Sequence, residues 1–248
     1  MHLANPTHAT RNYQYITNFS FSLEYISHKR NMPRHILVLG STSPSGLAFC
    51  LAALRDTHIL TLYVRNAAKL PSEISSAATV IVGELSDATA LENAISGGAK
   101  TCVSFLGPVP NLKRGQKPVT DGFKIIVPLL QKYGYERMMV LSTASYKVPE
   151  DRFYWVYWLM VMVVYLVFRP AYDEITGFTP LVTGTPADEL GWTVFRVPIL
   201  KNGEAVRVEA GYVGDVGLGL ERKALAEWLL KEMEEGKFVG KCPAVSNA

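Results

Sequence analysis

The stretch "HILVLGSTSPSGLAFC", residues 35–50, decides the fold of this chain. It begins with a short apolar run, partly β-branched, that ends at Gly40. Apolar positions then recur around a helix from residue 45 to 55. Ser43 and Pro44 stand just before that helix, where serine is a favoured N-cap and proline a favoured first helical residue. The stretch therefore predicts a buried strand, a glycine turn and a helix.

The same alternation of short apolar runs and helical segments continues along the chain. Further strands are predicted at 59–65, 78–85, 100–107, 137–143 and 192–200, and helices at 87–97, 119–133 and 220–236. Near-continuous apolar strands that alternate with helices are typical of a parallel sheet covered on both faces. Because such crossovers are right-handed, the predicted fold class is α/β, a doubly wound, Rossmann-like parallel sheet.

The residues before the first strand differ from the rest of the chain. Residues 1–31 are polar, rich in Asn, Thr and Ser, and lack the continuous apolar segment of a secretory signal. We expect them to form a disordered extension, with Met32 as the natural start, and a weak transit peptide is the alternative. Residues 32–248 contain no repeat and no linker, so they are predicted to form a single domain.

Composition excludes several classes of protein. Net charge is only +3, and the densest basic cluster, Lys113, Arg114 and Lys117, is too sparse for a nucleic-acid patch. The three cysteines are isolated and have no C-x-x-C spacing, which favours a reducing, cytoplasmic location. The five histidines lie in the extension or at strand starts, away from the ligand edge of the predicted sheet, so no metal site is expected.

One segment breaks the alternating pattern. The run "FYWVYWLMVMVVYLVF", residues 153–168, is apolar throughout and carries no charge. As a helix it would be about 24 Å long, short of the ~30 Å hydrocarbon core, so no stable membrane span is expected. Three roles remain open for such a helix, in order of preference: lining an apolar substrate pocket, packing in a homodimer, and lying on a membrane surface.

The glycine turn stands where open α/β sheets bind ligands, at the carboxyl end of the first strand. Gly40 permits a tight turn, Gly46 permits close packing of the helix, and the helix N-terminus offers N–H groups to a pyrophosphate. Ser43 takes the place of the middle glycine and reduces the room beneath the phosphates. The predicted cofactor-binding residues of this loop are Gly40, Thr42, Ser43, Ser45 and Gly46.

The end of the second strand indicates which dinucleotide binds. NAD sites usually carry an acidic residue about 20 positions after the turn, where it holds the ribose 2′-hydroxyl. Here the second strand ends at Arg65, and Lys69 follows one turn later. Two cations suit a 2′-phosphate, so the sequence predicts NADPH as the cofactor.

Several runs together resemble a known family over nearly all of residues 34–247. These are "GSTSPSG", "VRNAAKL", "VGELSDATALENAISG", "VSFLGP", "MMVLSTASY", "LGWTVFRVPIL", "ERKALAEWLLKEM" and "GKCPAVSN". They resemble the NmrA-like, atypical short-chain dehydrogenase/reductase family. The resemblance implies an NADP-binding Rossmann domain with a small C-terminal substrate region. It also implies NADPH-dependent reductases, redox sensors without turnover, or tailoring enzymes of fungal secondary metabolism.

The resemblance adds cofactor-binding candidates outside the first loop. The run "VSFLGP" contributes Gly107, and "FRVP" contributes Arg196 and Pro198, a stretch that approaches the nicotinamide in the resembled family. The chain departs from the family pattern at Ser43, where the family has glycine, and at Glu84, where it usually has aspartate.

The catalytic groups are not those of the typical family. A typical short-chain dehydrogenase uses a serine with Tyr-x-x-x-Lys, and here only Tyr25 has a lysine four positions later, before the first strand. The end of the fifth strand, "LSTASY", offers hydroxyls on the ligand side of the sheet. Ser142, Thr143 and Tyr146 are therefore the predicted catalytic residues, with Tyr146 as proton donor.

Three functional hypotheses follow from these residues. The first is an NADPH-dependent oxidoreductase acting on a hydrophobic small molecule, such as a secondary-metabolite intermediate, in a pocket walled by 153–168, Tyr172 and Phe178. The second is an NADP(H)-binding redox sensor or regulatory protein without turnover, because the usual dyad is missing. The third is a redox-neutral cyclase, dehydratase or isomerase, because the glycine loop is altered.

Overall fold

A computed structural model describes residues 32–108 and 112–248. The chain divides into two units, Met1–Pro33 and Arg34–Ala248, and all the elements below belong to the second. The predicted disordered extension lies outside the described residues, as does Tyr25.

The strands and helices follow one another much as the apolar pattern predicts. The strands are β1 (His35–Leu39), β2 (Ile59–Val64), β3 (Thr79–Val82), β4 (Thr101–Ser104), β5 (Arg137–Ser142), β6 (Gly191–Arg196), β7 (Ile199–Lys201), β8 (Val208–Gly211), β9 (Gly219–Glu221) and β10 (Ala244–Asn247). The helices are α1 (Pro44–Arg55), α2 (Ser72–Ser75), α3 (Ala88–Ile95), α4 (Pro118–Lys132), α5 (Trp155–Val167), α6 (Arg169–Thr183) and α7 (Arg222–Glu235).

The main sheet has the strand order β3-β2-β1-β4-β5-β6-β10-β8. Its first six strands are parallel and follow the order of a Rossmann sheet. β10 continues it in parallel, and β8 pairs with β10 in antiparallel orientation. The predicted α/β class and doubly wound parallel sheet are therefore confirmed.

Helices cover both faces of the sheet, as the apolar strands require. Alternate residues of β1 point to opposite faces. Ile36 and Val38 pack in one buried cluster with α1 and α7, whereas Leu37 and Leu39 pack in a second cluster with α3, α4 and α6. Two separate cores thus sandwich the sheet and hold its carboxyl edge in place.

The sequence prediction did not include α2, β8, β9 or β10, and two further parts of the chain differ from it. The strand expected at 192–200 ends at Arg196 and restarts as β7, which pairs with β9 in a separate small sheet. Pro198 interrupts it because proline cannot donate a ladder hydrogen bond. Helix α6 was not predicted. It contains Gly177 and Pro180, which weaken the helical signal, yet its inner face is buried against α4.

Candidate active site

Two glycines shape the turn after β1. Gly40 has φ +74°, and a Cβ there would lie 2.9 Å from the carbonyl carbon of Phe105, so a larger residue would strain this turn. A Cβ at Gly46 would lie 2.5 Å from the carbonyl oxygen of Gly40. The local roles predicted for the two glycines, a tight turn and close packing of the helix, match this geometry, and the structure adds the left-handed backbone conformation of Gly40.

Ser43 is the N-cap of α1. Its hydroxyl accepts a hydrogen bond from the N–H of Gly46 at 3.1 Å, and its own N–H donates to the carbonyl of Gly40 at 3.1 Å. Pro44 occupies the first helical position. The loop thus keeps the geometry of a strand–turn–helix anion site, but the serine side chain takes one of the N–H groups of the helix terminus.

The turn lies at the topological switch point of the sheet, because β1 stands between β2 and β4. On the far side of this crevice, beyond β4, is Gly107. A Cβ at Gly107 would meet no atom of residues 32–108 or 112–248 within 4 Å. The crevice is open and begins at a helix N-terminus, so the residues present fit a dinucleotide.

Arg65 follows β2 directly, and Lys69 ends the short 3₁₀ helix that comes next. Both side chains are exposed, and neither forms an ion pair within the described parts of the chain. Glu84, past β3, is also exposed, and its carbonyl accepts a hydrogen bond from the Tyr63 hydroxyl at 2.7 Å. The two cations are therefore available to an anion beyond the end of β2.

A cleft of about 800 Å³ opens at the carboxyl ends of β5 and β6. Its walls are Pro108, Leu112, Leu141, Thr143, Ala144, Ser145, Tyr157, Met160, Val161, Val164, Val167, Phe168, Pro170, Ala171, Ile175, Val197, Pro198 and Ile199. The hydroxyls of Thr143, Ser145 and Tyr157 are the polar side-chain groups in this lining. A volume of this size with mostly apolar walls suits a hydrophobic small molecule.

The structure separates the three catalytic candidates. Thr143 lines the cleft, and its hydroxyl oxygen accepts a hydrogen bond from the N–H of Ser145 at 3.3 Å. Ser142 is fully buried, and its hydroxyl lies 3.1 Å from that of Thr179 in α6. The Tyr146 hydroxyl lies 3.0 Å from that of Thr183, also in α6. Ser142 and Tyr146 therefore tie the end of β5 to α6 and do not line the cleft.

Arg196 departs from its predicted role at the cofactor. Its side chain is 1 % exposed, and its guanidinium donates to the two carboxylate oxygens of Asp151 at 2.6 and 2.7 Å. It also donates to the carbonyls of Tyr146 and Cys242. These partners surround the guanidinium and leave it no face for a nucleotide. Pro198, its neighbour in the same prediction, does line the cleft.

The pair of Arg196 and Asp151 fixes the segment that leads from β5 to α5. Asp151 accepts further hydrogen bonds from the N–H groups of Val148 and Val213. Burial would raise the pKa of Asp151, but the hydrogen bonds from Arg196 and the backbone amides outweigh it and hold the pKa below its usual value. This pair therefore holds in place the segment between β5 and α5. Residues 143–145 of that segment line the cleft, and its end leads into α5, which forms one wall.

Helix α5 forms one wall of the cleft, which is the first of the three roles predicted for it. Tyr172 and Phe178, which were predicted to wall the same pocket, do not line the cleft. Phe178 stacks on Phe123 in the core at 4.8 Å, and Tyr172 contacts the ring of Tyr165. Their positions in α6 turn them away from the cleft.

Ser145 and Tyr157 reach the cleft without any motif that marks them in the sequence. The Tyr157 hydroxyl donates to the carbonyl of Gly217 at 2.7 Å, and burial raises the pKa of Tyr157 to about 12. Tyr157 therefore stays neutral near pH 7. The sequence signal that could have pointed to Tyr157 is a tyrosine inside an apolar helix. A tyrosine hydroxyl that is buried usually has a hydrogen-bond partner, so its position is fixed.

A Rossmann sheet, a glycine turn that leads into a helix N-terminus and a cleft at the same edge define a dinucleotide-binding protein. The chain belongs to the NAD(P)H-binding family, whose profile matches residues 40–235. Family and fold are those expected from the resemblance to atypical short-chain dehydrogenases/reductases. The site is thus one for a nicotinamide cofactor.

Solved structures share this fold at low sequence identity. The anaerobillin reductase ChuY of Escherichia coli O157:H7 is 14% identical, with a TM-score of 0.67 over 86% of this chain and 97% of that one. The oxidoreductase ylbE of Lactococcus lactis is 15% identical, with a TM-score of 0.65 over 86% and 91%. A Bacillus halodurans protein assigned as an NAD-dependent epimerase/dehydratase is 16% identical, with a TM-score of 0.67 over 87% and 94%.

Proposed function

We propose that the chain is an NADPH-dependent oxidoreductase that reduces a hydrophobic small molecule bound in the cleft. The observation that carries this proposal is the position of the apolar cleft at the same sheet edge as the cofactor turn, with the Thr143 hydroxyl in its lining. An apolar cavity with few polar groups takes a hydrophobic ligand and orients it through those groups.

The cofactor-binding groups are those of the crevice at β1 and β4. The N–H groups at the start of α1 would hold the pyrophosphate, with Gly40 and Gly46 allowing its close approach. Arg65 and Lys69 would hold the 2′-phosphate, which is the feature that favours NADPH over NADH. The bound cofactor supplies the hydride.

Thr143 is suited to orient the substrate. Its oxygen accepts a hydrogen bond from the Ser145 N–H, so its own proton is left to donate to a substrate carbonyl oxygen. The apolar walls strengthen that hydrogen bond because they exclude water. The residues that line the described cleft include no carboxylate, imidazole or amine, so the proton that completes the product would come from water.

The lining of the described cleft has one phenol, Tyr157, and its hydroxyl already donates to the carbonyl of Gly217, which favours a second candidate, an NADP(H)-binding sensor without turnover. A sensor needs the cofactor crevice but no proton donor, and Ser142 and Tyr146 are engaged in structural hydrogen bonds. A redox-neutral cyclisation or dehydration is less well supported, because such reactions need an acid–base pair that the lining residues do not provide.

Titration of NADPH and NADH against the wild type and Arg65→Ala tests the proposal first. Loss of one charge-assisted hydrogen bond should weaken NADPH binding by about tenfold or more and leave NADH binding unchanged. Lys231→Ala is the matched control, because Lys231 is an exposed cation on α7. Lys231 is a suitable control also because this end of α7 lies away from the cofactor crevice. Glu234, in the same helix, pairs with Arg34 just before β1, at the opposite edge of the sheet.

Turnover then separates the two candidates. Oxidation of NADPH by a panel of hydrophobic ketones and quinones would support the reductase. Selective NADPH binding with no oxidation across the panel would favour the sensor. If neither nucleotide binds, both are wrong.

A further inference from the structure

Helix α5 has a second, outer face that turns away from the cleft and carries large apolar side chains in solvent. Trp155 is 62 % exposed and Leu166 is 69 % exposed. The outer face comprises Trp155, Trp158, Leu159, Val163 and Leu166 of α5, with Phe153 just before the helix, and all six are exposed. A contiguous apolar patch of this kind on a folded domain marks an interaction site.

The length of α5 argues for a helix that lies on a surface. Thirteen residues give a helix of roughly 20 Å, too short for a bilayer core of ~30 Å. Within the described residues no single helix is long and apolar enough to cross a membrane, and the bent pair α5–α6 passes that test only when both helices are taken together. Yet α6 buries Ile175, Phe178 and Val182 in the protein core, so it is not free to insert.

The side chains of the outer face match a membrane interface. Trp155 and Trp158 carry an apolar ring with one polar N–H, the type of side chain that is enriched at the level of lipid headgroups. Tyr154 and Tyr165 lie on the same helix region and are also partly exposed. An interfacial helix buries such a face ~5–10 Å into the headgroup region.

Four basic residues lie in two segments that contribute to the cleft lining, at 112–117 and 143–147. Leu112 lines the cleft, the exposed Lys113 and Arg114 follow it directly, and the half-buried Lys117 comes three residues later. Lys147 lines a small cavity together with Phe153, Tyr154 and Trp158 of the outer face region. None of these four cations forms an ion pair within the described residues.

We propose that the outer face of α5 docks the protein on an anionic lipid surface, with α5 parallel to the membrane plane. The cations Lys113, Arg114, Lys117 and Lys147, which form no ion pair with any described residue, complement acidic headgroups. A second copy is a poorer occupant, because an interface between two such faces would gather the cations of both copies without acidic partners. Docking is independent of the proposed function, and it would bring the cleft mouth to the lipid that dissolves a hydrophobic substrate.

Co-sedimentation of the full chain with phosphatidylcholine vesicles, with and without phosphatidylserine, tests this proposal without nucleotide or substrate. We expect binding to the anionic vesicles that weakens as salt is raised. The double variant Trp158→Gln, Leu166→Gln should bind at least about tenfold more weakly, because two large apolar side chains are lost from the contact. Leu51→Gln, which removes an exposed leucine from α1, is the matched control and should bind like the wild type.

Charge reversal checks the electrostatic part. Lys113→Glu, Arg114→Glu should lower binding to phosphatidylserine vesicles and flatten its salt dependence. Equal unfolding midpoints in urea would show that all variants are folded. Absence of vesicle binding by the wild type overturns the proposal. So does a wild-type dimer in light scattering that becomes monomeric in the glutamine variant, since a second copy would then cover this face.

Discussion

The hydroxyl of Ser43 accepts a hydrogen bond from the N–H of Gly46 at 3.1 Å, at the point where α1 begins. That N–H is one of the donors that a helix terminus offers to a phosphate. The serine therefore stabilises the helix and at the same time competes with the cofactor for a donor. Stability and nucleotide affinity are opposed at this position.

Ser43→Gly should bind the nicotinamide cofactor more tightly than the wild type. The substitution frees the Gly46 N–H and removes the side chain beneath the phosphates, and one recovered hydrogen bond corresponds to about fivefold in affinity. The loss in stability should be only a few tenths of a kcal/mol, because glycine is itself a tolerated N-cap. Isothermal titration with NADPH and urea unfolding measure the two effects.

Ser43→Ala separates the hydrogen bond from the steric effect. It frees the N–H but keeps a Cβ, and it should cost ~1 kcal/mol of stability because alanine cannot cap a helix. Weaker binding by both variants would contradict this prediction and would make the Ser43 hydroxyl itself a phosphate ligand.

Thr143→Val should lower kcat with little change in KM. Valine keeps the shape of threonine but removes the hydroxyl proposed to polarise the substrate carbonyl, and loss of such a donor costs about hundredfold in rate. Tyr146→Phe is the control, because its hydroxyl pairs with Thr183 outside the cleft lining. NADPH oxidation at varied substrate concentration measures both. A larger loss in Tyr146→Phe than in Thr143→Val would reverse the roles given to these residues.

The sheet could be predicted from the sequence because its signals are local. Each of β1, β2, β4 and β5 is a buried apolar run, and only a parallel sheet covered on both faces hides such runs. Gly40, Ser43 and Gly46 act within seven residues of one another, so their roles in the turn could also be predicted.

The remainder of the site depends on contacts between distant parts of the chain. Asp151 and Arg196 are 45 positions apart, and nothing in "FRVP" shows that the arginine turns inward to a carboxylate. The hydrogen bond between Tyr146 and Thr183 could not be predicted, because α6, which carries Thr183, was not predicted. The direction of a side chain at a strand end depends on the helix or loop that packs on it. Sequence spacing does not indicate which helix or loop that is.

Val164→Trp should obstruct the cleft and lower kcat/KM for a substrate that the protein reduces. Val164 lines the cleft, so the larger ring takes up space that the substrate needs, and a loss of about tenfold is expected from overpacking. Val163→Trp is the matched control, because Val163 is the adjacent residue on the outer face and is 45 % exposed. Equal losses in the two variants would argue against substrate binding in this cleft.

Glu174 caps α4 from a neighbouring helix. Its carboxylate accepts hydrogen bonds from the N–H groups of Val119 and Thr120 at 2.9 and 2.8 Å and from the Thr120 hydroxyl at 2.6 Å. The N-cap residue of α4, Lys117, makes no side-chain hydrogen bond to the helix. Glu174 is fully buried, so its removal would leave buried donors without their acceptor.

Glu174→Ala should therefore lower the free energy of unfolding by about 3 kcal/mol or more, because several buried donors become unsatisfied. Glu189→Ala is the control, since this exposed glutamate forms one surface hydrogen bond to Gln131. Urea midpoints at an unchanged denaturant slope measure the difference. Similar midpoints for the two variants would show that the cap contributes nothing.

The pair of Asp151 and Arg196 makes the fold sensitive to acid. The folded pKa of Asp151 lies below its unfolded value, so its contribution to stability is present above an ordinary aspartate pKa of about 3.9 and is lost as the pH falls through the folded pKa. Asp151→Asn keeps the shape but leaves Arg196 buried without its counter-charge. At neutral pH it should therefore be less stable by about 3 kcal/mol.

The difference between wild type and Asp151→Asn in urea unfolding should be constant between about pH 6 and about pH 5 and shrink as the pH falls from about 5 to about 3, because protonation of Asp151 removes the same ion pair. Asp121→Asn is the comparison, since its pair with Lys124 is exposed and should contribute under ~1 kcal/mol at any pH. A difference for Asp151→Asn that stays constant across this range would contradict the lowered pKa. The carboxylate would then act through its shape and its hydrogen bonds from Val148 and Val213. Its charge would contribute little to holding the segment between β5 and α5 in place.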